Sequence, residues 1–217
     1  MMQALDAVAA VGRGTLGAVR HAGAIALFGA TGLSHLVRPP FYGRIFLGVF
    51  LEFAFFSLPV VALTAVFSGA VIALQSYTGF SRFNAESAIA GVVVLSVVRE
   101  LGPVLAAVLV AGRSGSAITA QIGVMRVTEE LDAMRVMGIP RGFRLVMPRA
   151  LALALVMPLI SVWTTLAALL GGMLAADISM GVTPSFFINS LPAAVDVSNL
   201  TLATAKSVVF GLLIALV

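Results

Sequence analysis

The sequence predicts an all-α polytopic membrane protein, on the basis of its composition and of long runs without charge. Of its 217 residues, 60% are hydrophobic and 10% are charged, and the mean hydropathy is +1.11. Soluble domains contain only about 45–50% apolar residues. Residues 53–81 and 150–176 carry no charge, and each run exceeds the roughly 20 residues that a helix needs to cross the hydrocarbon core. Because no alternating β-barrel pattern is present, we expect a bundle of helices.

Two further windows complete four predicted transmembrane helices. Residues 87–112 are apolar except for Arg99 and Glu100, and residues 197–217 are apolar except for Lys206. Glycines and prolines inside the spans are compatible with helix, because neighbouring helices and Ser or Thr side chains can satisfy the backbone groups that they free.

Residues 1–40 are predicted to be a separate interfacial (elbow) segment, and residues 41–217 to be the transmembrane domain. The first 36 residues are only mildly apolar, include Arg13 and Arg20, and lack the cleavage site of a signal peptide. Pro39 and Pro40 would end a helix there. We therefore expect this segment to lie along the membrane surface.

The distribution of arginines predicts the orientation of the chain. They concentrate before the first span and in the connection 113–149, whereas the connection 177–196 has none and carries Asp177 and Asp196. By the positive-inside rule, the N-terminus and the connection 113–149 are expected to be cytoplasmic. The arginines are dispersed and no recognition motif accompanies them, so they do not indicate nucleic-acid binding.

Several kinds of chemistry are disfavoured by what the sequence lacks. It contains no cysteine, and both histidines lie in the N-terminal segment, so we expect neither a metal site nor a familiar catalytic constellation. Lys206 is the only lysine, and it has no glycine-rich phosphate loop around it. If the protein uses nucleotide energy, another chain must bind the nucleotide.

The adjacent charges Arg99 and Glu100 lie near the middle of the second predicted span. Charges at that depth are costly and usually functional. Neighbouring residues point about 100° apart on a helix, so we expect one or both to find a partner on another helix or a wet cavity. The alternative is a shorter helix that places the pair at the membrane interface.

Polar residues in the first and fourth spans leave similar alternatives open. Lys206 either snorkels to the surface or faces a cavity. The segment 72-IALQSYTGF-80 ends the first span with Gln75, Ser76, Tyr77 and Thr78, which either anchor the helix at the interface or line a site.

The segment 128-TEELDAMRVMGIPRGF-143 predicts a short helix in the connection 113–149. Thr128 is a candidate N-cap, and acidic residues followed by Arg135 match the helix dipole. Leu131 and Met134, with Met137, form an apolar stripe, which would pack on the protein's own interfacial segment or on a cytoplasmic partner.

Small residues at four-residue spacing allow close helix packing, within the bundle or in a homodimer. The sequence has two such stripes: Gly115, Thr119 and Gly123, and Ala168, Gly172 and Ala176.

The run 96-SVVRELGPVLAAVLVAGRSGSAITAQIGVMRVTEELDAMRVMGIPRGF-143, with 68-SGAVIALQSY-77 and 205-AKSVVF-210, resembles the MlaE (YrbE-type) family of ABC-transporter permeases. The resemblance extends from about residue 10 to the end. It implies a homodimer that moves phospholipids between the bacterial inner membrane and the outer envelope. It also implies cytoplasmic ABC ATPase subunits that bind ATP and Mg, a periplasmic MCE-type substrate-binding protein, and a small cytoplasmic accessory subunit.

The resemblance assigns roles to residues of this chain. The acidic helix would be the coupling helix that docks on the ATPase, through Glu129, Glu130, Leu131, Asp132, Met134 and Arg135. A lipid cavity between two copies would be lined by Ile72, Gln75, Tyr77, Phe80, Phe83, Arg99, Glu100 and Leu101, with Lys206 a weaker candidate. The family continues through a cytoplasmic turn into a fifth span, whereas this sequence stops within GLLIALV, so we expect it to be part of a longer protein.

Two other functions are open from the sequence alone. An ion-coupled secondary transporter would use Arg99, Glu100 and Lys206 as a proton or ion relay. A lipid-modifying membrane enzyme is less well supported, because no nucleophile, base or metal cluster is assembled.

Overall fold

The computed structural model describes residues 12–17, 19–20, 23–24, 27, 43–83, 89–138, 145, 147–181 and 183–216. All regular structure in these residues is helical. The helices are α1 (Gly43–Phe80), α2 (Ile89–Val127), α3 (Glu130–Val136), α4 (Met147–Met180), α5 (Pro184–Ala194) and α6 (Val197–Leu216). The predicted N-terminal interfacial segment lies mostly outside the described residues, so its position on a membrane stays a prediction.

Four of these helices, α1, α2, α4 and α6, are long and apolar enough to cross a membrane. This confirms the predicted all-α polytopic architecture. Helix α1 begins at Gly43, next to Arg44, near which the first span was expected to start. Helix α2 continues to Val127 instead of ending near Gly112. The hydroxyls of Ser116 and Thr119 donate to the carbonyls of Gly112 and Gly115. These hydrogen bonds pair the side-chain hydroxyls with carbonyl groups of the same helix. Helix α2 can therefore continue into the segment that was predicted to be a connection.

Helix α2 contains two π-helical turns, Val97–Leu101 and Ala111–Gly115. In the first turn the Gly102 N–H donates to the Val97 carbonyl, five residues earlier. A π turn changes the direction of the side chains beyond it, and such turns are frequent at functional sites. Each of these two turns carries an arginine, Arg99 or Arg113.

Helix α4 is the central helix of the bundle and contacts α1, α2, α5 and α6. Its closest approach is to α1, where a methyl group on Gly69 would overlap the Ala168 backbone and one on Gly171 would overlap the Val66 backbone. Two helices that meet at this distance gain extensive van der Waals contact.

The stripe of Ala168, Gly172 and Ala176 therefore builds the bundle, since all three residues are buried. The second stripe is different. No described atom lies within 4 Å of a side chain built at Gly115 or Gly123, so this stripe is not used for packing among the described residues of one chain.

The short helix α3 begins at Glu130 after a turn in which Glu129 adopts φ 58°. The prediction that Thr128 caps this helix is wrong, because its hydroxyl instead donates to the Val124 carbonyl at the end of α2. The following residues keep the predicted charge order, with Glu130 and Asp132 in the first turn and Arg135 in the last.

Helix α5 lies in the connection 177–196, where the sequence analysis did not predict a helix. Gly181, with φ 65°, ends α4, and Pro184 starts α5 at a position where its missing N–H costs nothing. Phe187 packs into the cluster of buried apolar residues that includes Ile89 and Val93 of α2. Asp196 then caps α6 by accepting the Val197 N–H at 2.9 Å.

We expect Gly171→Ala to destabilise the bundle by about 1–3 kcal/mol, because the added methyl group has no room against α1. The measurement is the Tm of the protein in detergent, followed by fluorescence-detected size exclusion. Gly91→Ala is the matched control, since a methyl group there meets nothing within 4 Å. An unchanged Tm for Gly171→Ala would show that α1 and α4 are not in close contact.

Candidate functional site

The candidate site is an ionic cluster formed by α2 and α6. Lys206 donates to Glu100 Oε2 at 2.6 Å and to the Arg99 carbonyl at 3.4 Å. Arg99 Nε lies 3.7 Å from Glu100 Oε1, which is an ion pair but is longer than a hydrogen bond. Glu100 thus finds its main partner on another helix, as expected for a charge in a membrane span.

The position of this cluster depends on contacts between α2 and α4. The π turn that carries Arg99 and Glu100 ends at Gly102, which is buried, and a methyl group at Gly102 would overlap Thr165 Oγ1 of α4. Thr165 is itself fixed, because its hydroxyl donates to the Ser161 carbonyl at 2.9 Å. The backbone of α2 is therefore close to α4 immediately after the two charges.

The charged side chains are not sealed inside the described part of the chain. Those of Arg99, Glu100 and Lys206 are 49%, 56% and 34% exposed. Next to the ion pair, the guanidinium of Arg99 retains N–H donors that can bind a phosphate or carboxylate. A span with exposed charges needs water, a polar ligand or another polypeptide on that side.

The apolar residues predicted to line the site lie on α1 and α2. Ile72, Tyr77, Phe80 and Leu101 are half-buried and pack against one extended cluster of buried apolar residues, which includes Val97 and Val98, the two residues before Arg99 in the chain. Their role in lining a lipid cavity stays a prediction. Gln75 is exposed on α1, and Phe83 is 81% exposed in the 3-10 turn Ser81–Phe83 that follows α1, outside this cluster.

A second polar contact links α1 to the other π turn of α2. Arg113 donates to the buried Ser57 hydroxyl at 2.8 Å, and its guanidinium lies 5.7 Å from the centre of the Phe56 ring. From the sequence, Arg113 contributed to the predicted orientation and to the run that resembles the MlaE family, but it was not predicted to contact another helix. The arginine in 111-AGRSG-115 was the available signal, but its partner on α1 could not be read from the sequence.

Helix α3 presents most of its predicted coupling residues to solvent. Glu129, Glu130, Asp132 and Arg135 are exposed, whereas Leu131 and Met134 are half-buried. A groove of about 240 Å³ runs behind the helix, lined by Val49, Met125, Glu130, Met134, Leu145, Pro148 and Arg149. Leu131 and Met134 thus turn toward the bundle, whereas Met137 of the predicted stripe is 63% exposed. The acidic residues remain accessible to a partner.

The fold and the ionic cluster of Arg99, Glu100 and Lys206 define the class of this protein. It is a multi-pass membrane protein with a charged, partly exposed site within its helical bundle. Among the described residues, no group of His, Cys, Asp and Glu side chains could hold a metal ion.

The family model for the permease MlaE matches residues 46–217, and the chain belongs to the MlaE permease family. A "Probable ABC transporter permease protein" of Rickettsia bellii is 39% identical over 213 residues, which cover 98% of this chain and 82% of the relative. The "Intermembrane phospholipid transport system permease protein MlaE" of Haemophilus influenzae is 37% identical over 147 residues, 66% of this chain and 56% of that protein. The protein is thus an ABC transporter permease of this family, a kind of subunit that is not itself an enzyme.

We expect Glu100→Lys to weaken the contact between α2 and α6, because it places like charges where Lys206 now donates at 2.6 Å. The Tm in detergent should fall by several degrees. The double variant Glu100→Lys with Lys206→Glu should recover most of that loss, since the opposite charges are restored.

Arg82→Glu serves as the control, because Arg82 is exposed in the turn after α1 and outside the cluster. A double variant no more stable than either single variant would show that the two residues do not interact.

Proposed function

We propose that this permease moves phospholipids between a bacterial inner membrane and the outer envelope, driven by ATP hydrolysis in a separate ATPase subunit. The observation that carries the proposal is the exposed ionic cluster of Arg99, Glu100 and Lys206 in a bundle whose α1 and α2 also present half-buried apolar residues. Its chemistry suits an amphiphile whose polar head and acyl chains need different surroundings. The name of the Haemophilus relative, a phospholipid transport permease, supports the same substrate class.

Each part of the proposed site has a role in binding. Arg99 binds the phosphate through its free N–H donors, while the Lys206 ion pair fixes Glu100. Ile72, Tyr77, Phe80 and Leu101 offer apolar contact to acyl chains, and Gln75 and Phe83 extend this surface. The exposed side of the cluster faces a second copy, so two chains together enclose the cavity.

The proposed coupling site is the exposed face of α3. Its acidic residues Glu129, Glu130 and Asp132, with Arg135, contact the ATPase, and the chain lies with its N-terminus and α3 in the cytoplasm. The arginines near this end support that orientation. A periplasmic MCE-type protein and a small cytoplasmic accessory subunit complete the proposed assembly.

We expect Arg99→Ala to lower lipid transfer several-fold while leaving Tm nearly unchanged, since it removes phosphate donors and keeps the Glu100–Lys206 pair. The measurements are ATP-dependent lipid transfer in proteoliposomes and mass spectrometry of lipid that co-purifies with the complex. Arg82→Ala is the matched control.

Two outcomes would contradict the proposal. Normal transfer and lipid content in Arg99→Ala would show that the charge plays no part in lipid binding. Transport that follows a proton gradient and ignores nucleotide would favour an ion-coupled transporter instead.

We expect reversal of Glu129, Glu130 and Asp132 to lysine to abolish co-purification of the ATPase without affecting membrane insertion. The reason is that the exposed carboxylates would be replaced by repelling charges at the proposed contact. Asp177→Lys, an exposed acid at the far end of α4, should leave co-purification intact. Retention of the ATPase by the triple variant would place the contact elsewhere.

A further inference from the structure

The segment that contains α5 has an unusual charge distribution for a connection between transmembrane helices. Residues 178–195 include no Asp, Glu, Lys, Arg or His, although Asp177 and Asp196 lie immediately outside them. The connection between α1 and α2 instead contains Arg82 and Glu86. Protein surface in water is usually rich in charge, with about 25% charged residues in an average soluble chain. This composition is unusual for a segment that is surrounded by bulk water on every side.

Helix α5 has three distinct sides. Phe187 is only 4% exposed and lies against the bundle, and Leu191, one turn later, packs on the same cluster. Ile188 lies on a flank of the helix, between the packed side and the polar side, and is 55% exposed. Ser185 and Asn189, also one turn apart, are exposed on the side away from the bundle. An apolar flank beside a polar ridge is typical of a helix that lies in a membrane interface.

The neighbouring transmembrane helices also expose apolar residues close to α5 in the chain. On α4, exposed Leu170, Leu174 and Ile178 follow one another at four-residue spacing toward the start of α5. On α6, Val197 is 73% exposed at the first helical position. Because α4 and α6 have the length and composition of membrane spans, this surface meets lipid up to the level of α5.

The length of α5 decides how it contacts the membrane. With 11 residues it is too short to cross the hydrocarbon core. Its position after the last turn of α4 places it at the end of the bundle opposite α3. A short amphipathic helix at this level lies parallel to the membrane plane, with its polar ridge toward water.

We propose that α5 is an interfacial helix that inserts its Ile188 flank among the lipids of the leaflet opposite α3. The helix contacts the membrane at the boundary between the lipid headgroups and the acyl chains. Because the segment has no basic residue, the contact is apolar and does not require anionic headgroups. Through Phe187, the inserted helix also holds the start of α2, the helix that carries Arg99 and Glu100.

The absence of cysteine allows a direct test with single cysteine variants. Ile188→Cys and Val197→Cys are labelled with an environment-sensitive fluorophore, in the full chain with its co-purifying subunits, reconstituted into phosphatidylcholine nanodiscs. Asn189→Cys and Ser185→Cys on the polar ridge are the matched controls. Each label is quenched either by a lipid with a nitroxide near the headgroup or by iodide in the water.

We expect lipid-borne nitroxide to quench the label at 188 and 197 by at least roughly twofold more than at 189 and 185, and iodide to show the reverse order. Equal iodide quenching at all four positions would overturn the proposal, because α5 would then lie in water. Protection of position 188 from both quenchers would also overturn it, because a second copy or another protein would then cover the flank. The readout needs no nucleotide or transport, so it is independent of the proposed lipid-transfer activity.

Discussion

The close approach of three helices to α4 is the constraint on which the rest of this structure depends. Lipid does not drive helices together through the hydrophobic effect, so helices in a bundle associate mainly through van der Waals contact and polar bonds. Here α1 meets α4 at Gly69 and Gly171, and α2 meets it at Gly102. A side chain built on Gly211 of α6 would lie 2.8 Å from the Leu153 carbonyl of α4. The glycines thus place all three neighbours against one central helix.

This arrangement explains why the two charges of α2 and the lysine of α6 meet. Both helices are held by α4, and the π turn beside Gly102 sets the direction of Arg99 and Glu100. Lys206 then reaches Glu100 from α6. The ion pair satisfies two charges within the span, while the exposed guanidinium of Arg99 remains available for a ligand. The proposed lipid binding therefore uses a different part of the cluster from the ion pair that links α2 to α6.

The sequence predicted the transmembrane helices because apolar runs of sufficient length need no tertiary information. It also identified Arg99 and Glu100, since the cost of charge in a span marks them. The partner of Glu100 could not be predicted. Lys206 is 106 residues away, and the sequence was equally consistent with a lysine that snorkels to the surface and with one that faces a cavity. The π turns were missed because apolar periodicity does not distinguish them from regular α-helix. The close approach of Gly102 to Thr165, next to the first π turn, is a tertiary contact that the sequence does not reveal. Helix α5 was missed because Pro184 and Pro192 in a short segment favour a loop, and the helix is stabilised by tertiary packing of Phe187 and Leu191.

Helix α2 is continuous from the ionic cluster to Val127, shortly before α3. From Ile89 to Val127 it is about 58 Å long at 1.5 Å per residue. A continuous helix is stiff. A rotation of its α3 end must therefore either rotate Arg99 and Glu100 as well or be absorbed by a local change in the number of residues per turn. The two π turns have more residues per turn than the rest of α2. The turn at Ala111–Gly115 lies between the ionic cluster and the α3 end. Because a π turn and an α-helical turn contain different numbers of residues, conversion of this turn to regular α-helix would rotate one end of α2 relative to the other by a fraction of a turn.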